Sequence, residues 1–157
     1  PRLTVWNAQL CANHRCRIGR GMLSGTFQYA FTHEQAASAG TLTPYMPARP
    51  HSATARLSYD RRFSSHYAAG VQLSGRFLSE LTGREYNSAT GASRPLRYPA
   101  YALLRLTLTQ KLGTAVRLNL TADNLLNYRP HIYYYNAPLT DGLSLAVGMT
   151  LDLDRLW

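Results

Sequence analysis

The chain has 157 residues, 45% of them hydrophobic, which suits one ordinary domain and excludes neither a soluble nor a membrane protein. No stretch approaches the roughly 18 to 20 apolar residues of a membrane-spanning helix, so any membrane crossing falls to strands. Seventeen Lys+Arg against eight Asp+Glu give a formal charge of +9, but the basic residues are nearly all Arg and spread singly, which argues against a nucleic-acid binder and suits lipopolysaccharide phosphates or a polar barrel lining.

In chain order, the amino end Pro1-Arg2-Leu3-Thr4 lacks a basic region followed by an apolar core, so it is not read as a signal peptide; the chain is expected to be mature or to start within something longer. A first strand is expected over residues 3–12, alternating weakly with Trp6, Ala8 and Leu10 on its apolar face. Cys11 and Cys16 follow; they permit one disulfide across the mouth of a hairpin, two free thiols, or a metal site with His14 between them.

From there the alternation is regular. Leu23, Phe27, Tyr29 and Phe31 oppose Ser24, Thr26 and Gln28; Ala53, Ala55, Leu57 and Tyr59 oppose Thr54, Arg56, Ser58 and Asp60. Tyr67, Ala69, Val71, Leu73 and Phe77 oppose Gln72, Ser74 and Arg76, and Leu104, Leu106 and Leu108 oppose Arg105, Thr107 and Thr109. Val116, Leu118, Leu120 and Ala122 alternate with Arg117, Asn119, Thr121 and Asp123. The last segment sets Leu143, Leu145, Val147, Met149, Leu151 and Leu153 against Ser144, Ala146, Gly148, Thr150 and Asp152. An apolar spacing of two defeats an amphipathic helix and predicts half-buried strands.

The links alternate as well. Residues 61–66 and 111–114 are short; 34–50, 80–99 and 127–142 are long and rich in Gly, Pro, Ser, Asn or Tyr. Outer-membrane barrels have short periplasmic turns and longer external loops, which would place the long links outside. Aromatic residues near the strand ends, Tyr59, Phe63 and Tyr67 at one and Phe77, Tyr86, Tyr98 and Tyr101 at the other, are expected as interfacial girdles. The predicted fold class is all-β: an antiparallel transmembrane β-barrel, of which this chain supplies about seven strands. Single-chain bacterial barrels close with an even number of strands, so seven imply a larger barrel or a separate partner.

The run Ala122-Asp123-Asn124-Leu125-Leu126-Asn127-Tyr128-Arg129-Pro130, followed by a link and a final strand carrying Gly142 and Gly148, resembles the end of a TonB-dependent outer-membrane receptor. Pro47-Ala48-Arg49-Pro50-His51-Ser52-Ala53 is similar to the lead-in of another late strand of that family. The likeness covers about residues 47–153. The family commonly ends in Phe, whereas this chain ends Asp154-Arg155-Leu156-Trp157. Residues 1–157 would then be a C-terminal barrel segment without the plug domain. The resemblance implies import of a scarce nutrient such as a siderophore, haem or cobalamin across a bacterial outer membrane, energised by the TonB complex. It also implies partnership with lipid and lipopolysaccharide, the remaining strands, a plug and an extracellular small ligand. No resident cofactor and no nucleic acid are implied.

Two other functions fit: a self-contained small barrel acting as adhesin or structural anchor, and a soluble β-sandwich binding module. An enzyme is not expected, since no nucleophile, base and orienting acid recur at a recognisable spacing. Arg56, Arg105, Arg117 and Asp123 are expected to face a lumen. His131, Tyr134, Arg76 and Tyr86 are candidate ligand contacts, since Tyr and His ligate haem iron and Tyr rings stack on planar ligands.

Overall fold

Alternating sequences of this kind can bury one face only, and each strand needs neighbours to satisfy its backbone. The computed structural model describes residues 2–37, 49–130, 138 and 140–153. They form nine antiparallel strands: β1 Arg2–Ile18, β2 Gly21–Ala37, β3 His51–Arg62, β4 Tyr67–Leu78, β5 Leu81–Asn87, β6 Ala92–Tyr98, β7 Tyr101–Leu112, β8 Val116–Asp123 and β9 Ser144–Leu151. Seven make one sheet in the order β1-β2-β3-β4-β7-β8-β9, and β5-β6 is a separate hairpin. The sheet is open, with β1 and β9 each hydrogen-bonded on one side. Among the described residues no helix is long and apolar enough to cross a membrane.

The registers join the alternating runs into two faces. Reading across the sheet, Ala12 pairs with Phe27, Phe27 with Ala55, Ala55 with Gly75 and Gly75 with Leu104. Beyond them Leu108 pairs with Leu120 and Leu120 with Val147. Directly paired residues project to one side, so the apolar sets of all seven strands share a single face. A slip of one residue in any pairing would send that strand's apolar set to the other side.

Three short turns lie at one end of the sheet. Gly19 opens the two-residue β1-β2 turn at φ +58°, the left-handed conformation that such a turn demands of its first central residue. The β3-β4 and β7-β8 turns are tied together by Gly113 N–H donating to the His66 carbonyl at 2.6 Å. The Tyr59 ring lies over Gly21, where any Cβ would collide with it, and its hydroxyl donates to the Ile18 carbonyl at 3.3 Å. Gly21 thus lacks a side chain because the neighbouring strand fills its place.

The strand ends that the long links join lie at the opposite end. The link expected over 80–99 contains β5 and β6, so it is a hairpin and not an irregular loop. The first strand is also longer than its weak alternation suggests: β1 runs unbroken to Ile18 and pairs with β2 along its whole length. Pairing of β2 with β3 stops at Phe31, so the β1-β2 ribbon rises six residues above its neighbour, to Ala37.

Burial is sparse. Leu81, Tyr98 and Tyr101 are the buried hydrophobic residues among those described, and all three sit at the base of the β5-β6 hairpin. On the apolar face Trp6, Leu145, Val147 and Met149 are 63 to 79% exposed. The expected girdle therefore divides. Tyr59, Tyr67 and Phe77 share the apolar face, whereas Tyr98 and Tyr101 are core residues at the long-link end; the Tyr86 side chain lies outside the described residues.

Candidate functional site

Three features have the chemistry to act: a cationic concavity on the polar face, a basic rim at the short turns, and a hydrogen-bonded anchor at the long links.

The first is built by register. Ser74 on β4 pairs with Arg56 on β3 and with Arg105 on β7, and Arg76 is the next same-face side chain along β4. Thr26 pairs with Arg56, and Gln28 with Thr54. These residues, with Asn13, line a concavity of about 520 Å³. The Arg105 guanidinium donates to Asp123 Oδ2, and the pair is half-exposed. Four of the sequence candidates, Arg56, Arg76, Arg105 and Asp123, therefore come together here. Arg117 shares their face but not their site: it pairs with Lys111, six residues below Arg105, about 20 Å at strand rise.

Lys111, the partner of Arg117, belongs to the basic rim. Arg17, Arg20, Arg61, Arg62 and Lys111 surround a second concavity of about 370 Å³, with Asp60 its acidic residue. The Arg61 guanidinium lies 4.8 Å from the centre of the Phe63 ring, which itself stands 5.3 Å from Tyr67. Singly spaced arginines converge here because three turns bring the ends of six strands together.

The third feature joins the Asn124-to-Pro130 run to the segment around Arg49. Asn124, 3% exposed and at φ +53°, donates from Nδ2 to the Tyr128 carbonyl at 2.8 Å and to Thr140 Oγ1 at 2.9 Å, and accepts from Tyr128 N–H at 2.9 Å. Its own N–H donates to Asp123 Oδ1 at 3.0 Å. Asn127, at φ +52°, accepts the Leu143 N–H at 3.0 Å. Asn is among the few side-chain-bearing residues that enter this region readily, which is why both ends of the Asn-Leu-Leu-Asn run have this identity. Tyr128 stacks on Tyr101 at 5.1 Å, and the Arg49 guanidinium lies 5.0 Å from the Tyr101 ring centre. Arg49 Nη1 also donates to the Ser79 and Pro99 carbonyls. Partial burial lowers the Arg49 pKa from its ordinary value. At the outer hairpin, Arg97 pairs with Glu80 at 2.9 Å, and this hydrogen bond raises the Arg97 pKa.

Sequence reasoning missed the roles of Arg49, Tyr101 and Tyr128. The signal was present in the Arg49-Pro50 and Asn124 to Tyr128 motifs, but only folding brings them within reach of one another. Ligand contact by His131 and Tyr134 falls outside the described residues, and so does the Tyr86 side chain.

The disulfide is corrected. Cys11 and Cys16 are free, on one continuous strand and not across a hairpin mouth. Five residues of strand separate them by about 17 Å, far beyond the roughly 7 Å limit between Cα atoms of a disulfide. They also point to opposite faces: Cys16 pairs with Leu23 on the apolar side, Cys11 with Gln28 on the polar side. The same geometry keeps Cys11, His14 and Cys16 from converging on one metal ion.

A scan against known family models, a search of curated proteins and a search of solved structures each return no match.

Proposed function

We propose that this chain is part of the wall of a bacterial outer-membrane β-barrel of the TonB-dependent receptor type. In this reading further strands and a plug domain complete the protein, an extracellular small ligand such as a siderophore, haem or cobalamin is the cargo, and the TonB complex supplies the energy. The observation that carries it is the apolar face, continuous across seven strands and uncovered by any described residue. Apolar surface in water costs about 25 cal/mol per Å², and soluble monomers seldom expose more than a few hundred Å² in one patch. Hydrocarbon removes that cost, while Arg56, Arg105 and Arg117 on the other face need water or partners.

The edges bear on completeness. Unpaired strand edges are not tolerated in hydrocarbon, so β1 and β9 require partners there. The open sheet favours a larger barrel over a self-contained one, in which β1 and β9 would pair with each other. The clustering of short turns at one end and long links at the other supports an orientation with the long links outside. Likeness to the receptor family rests on the two motifs of the outer anchor.

The test has two stages. The full gene product should fractionate with the outer membrane and show a heat-dependent shift on unboiled gels; solubility without detergent sinks the barrel. Cells carrying and lacking the gene are then offered labelled iron chelates, haem and cobalamin. Gene-dependent uptake that stops when the inner-membrane proton gradient collapses is expected; uptake indifferent to the gradient rules out TonB coupling.

A further inference from the structure

The polar face holds an imbalance that its own residues do not correct. Three arginines neighbour Ser74 on this face: Arg56 and Arg105 directly across from it on the flanking strands, and Arg76 two residues along its own, all lining the same concavity. Opposed residues on one face lie about 5 Å apart and diagonal ones about 7 to 8 Å, so side chains as long as arginine can reach a common point above Ser74. Only Arg105 has a carboxylate there, that of Asp123. Among the described residues neither Arg56 nor Arg76 pairs with an acid. Asp60 is four residues below Arg56 along β3, about 13 Å at strand rise, and belongs to the rim.

Like charges held this close repel, and an anion that bridges them relieves the repulsion. Arginine is the side chain best suited to do so, because its planar fork grips carboxylate or phosphate oxygens in pairs. The surroundings add neutral donors: the Ser74 and Thr26 hydroxyls and the Gln28 amide nitrogen, with Gln28 Oε1 turned away to accept from Thr54 Oγ1 at 3.4 Å. A concavity of about 520 Å³ is the size of a small-molecule site.

We infer that Arg56, Arg76 and Arg105, arrayed around Ser74, form a docking point for a small multivalent oxyanion, a solute bearing two or more carboxylates or phosphates. This rests on the proposed reading of the polar face as a water-lined barrel interior. A small solute suits the bounded concavity better than an acidic polypeptide stretch, which would track the charges of the rim as well.

The test is arginine footprinting of the full gene product in detergent micelles, at constant ionic strength. Phenylglyoxal adducts at Arg56 and Arg76 are quantified by mass spectrometry, with the outer-hairpin Arg97 as reference. Tricarballylate or pyrophosphate at millimolar concentration should slow modification of Arg56 and Arg76 at least fivefold and leave Arg97 unchanged. Protection by one probe alone identifies carboxylate or phosphate as the preferred group. Arg76→Gln should weaken tricarballylate or pyrophosphate protection at Arg56 at least tenfold. Asp123→Asn releases Arg105 and should tighten it severalfold, a gain that misfolding cannot produce. Free modification of Arg56 and Arg76 that neither anion slows overturns the inference while leaving the barrel intact. Protection by a polyglutamate peptide but not by small anions also overturns it. Failure of phenylglyoxal to reach Arg56 and Arg76 while it modifies Arg97 shows instead that the polar face is not water-lined, and the functional reading fails first.

Discussion

In the sheet, Leu145, Val147 and Met149 are 63 to 79% exposed, whereas at the outer end of the same hairpin Asn124 is 3% exposed and both its amide atoms are hydrogen-bonded. The two regions are stabilised from different sources. The outer anchor is self-sufficient: Leu81, Tyr98 and Tyr101 give it a small core, and Asn124, Asn127 and Arg49 tie its backbone. The sheet owes its order within the chain to strand pairing and a few cross-strand side-chain bonds such as Arg105 to Asp123, and no described residue covers its apolar face. On the proposed reading, damage to the sheet should register as failed membrane assembly, and damage to the anchor as local loosening.

The largest expected effect breaks the sheet's side of this contrast. Val147→Arg places a charge on the apolar face of β9 and should cost about 2 to 4 kcal/mol at the bilayer centre. Gly148→Ser points the other way into open space and should cost less than about 0.5 kcal/mol. Urea unfolding of the vesicle-inserted protein compares them; equal tolerance reverses the facing of the sheet.

Next comes the anchor. Asn124→Ala removes three side-chain hydrogen bonds and strains a left-handed backbone, a loss of about 2 to 3 kcal/mol. Protease should cut the 125–143 link faster while insertion of the sheet is unchanged. Asn124→Gly restores the backbone freedom but not the hydrogen bonds and should recover about 1 kcal/mol. Loss of insertion in either variant would show that the two regions fold as one.

A smaller effect is expected for Arg49→Lys, about 1 kcal/mol, because an ammonium cannot both stack on Tyr101 and hold the Pro99 carbonyl. Its readout is hydrogen exchange at Ser79 and Tyr101, which should quicken while β8 and β9 keep their rates. The last prediction costs no stability. Cys11 should react with a charged, water-soluble maleimide and Cys16 with a lipid-soluble one, without prior reduction, since they occupy opposite faces. Equal reaction of both thiols with the charged reagent would remove the distinction between the faces.

Much of the sheet was legible because a two-residue period has one physical reading and the register then joins the faces. Legibility failed where the pattern had no two-sided environment to record. In β1, His14 stands on the apolar face between Ala12 and Cys16, so the alternation blurs although the pairing continues. In β5 and β6, a free-standing hairpin, Arg94-Pro95-Leu96-Arg97 does not alternate against a sheet, so the segment read as a loop. The site followed the same rule. Arg56, Arg76 and Arg105 were recognisable as polar-face residues one strand at a time, but their meeting around Ser74 depends on three registers. The anchor depends on closure between residues 49 and 128, which no local pattern encodes. The cysteine pair misled because a short spacing suggests a turn, and the turn lies at Gly19 instead.

The β1-β2 ribbon, rising six residues above β3, stands about 20 Å proud of its neighbour at strand rise. On the proposed orientation it projects from the cell like a mast beside the pore mouth. In that reading a large particle approaching the cell could touch the ribbon without reaching the concavity on the polar face. Shortening the ribbon by whole turns of the pleat, two residues from each strand at a time, would change what adheres to the cell and leave what enters it untouched.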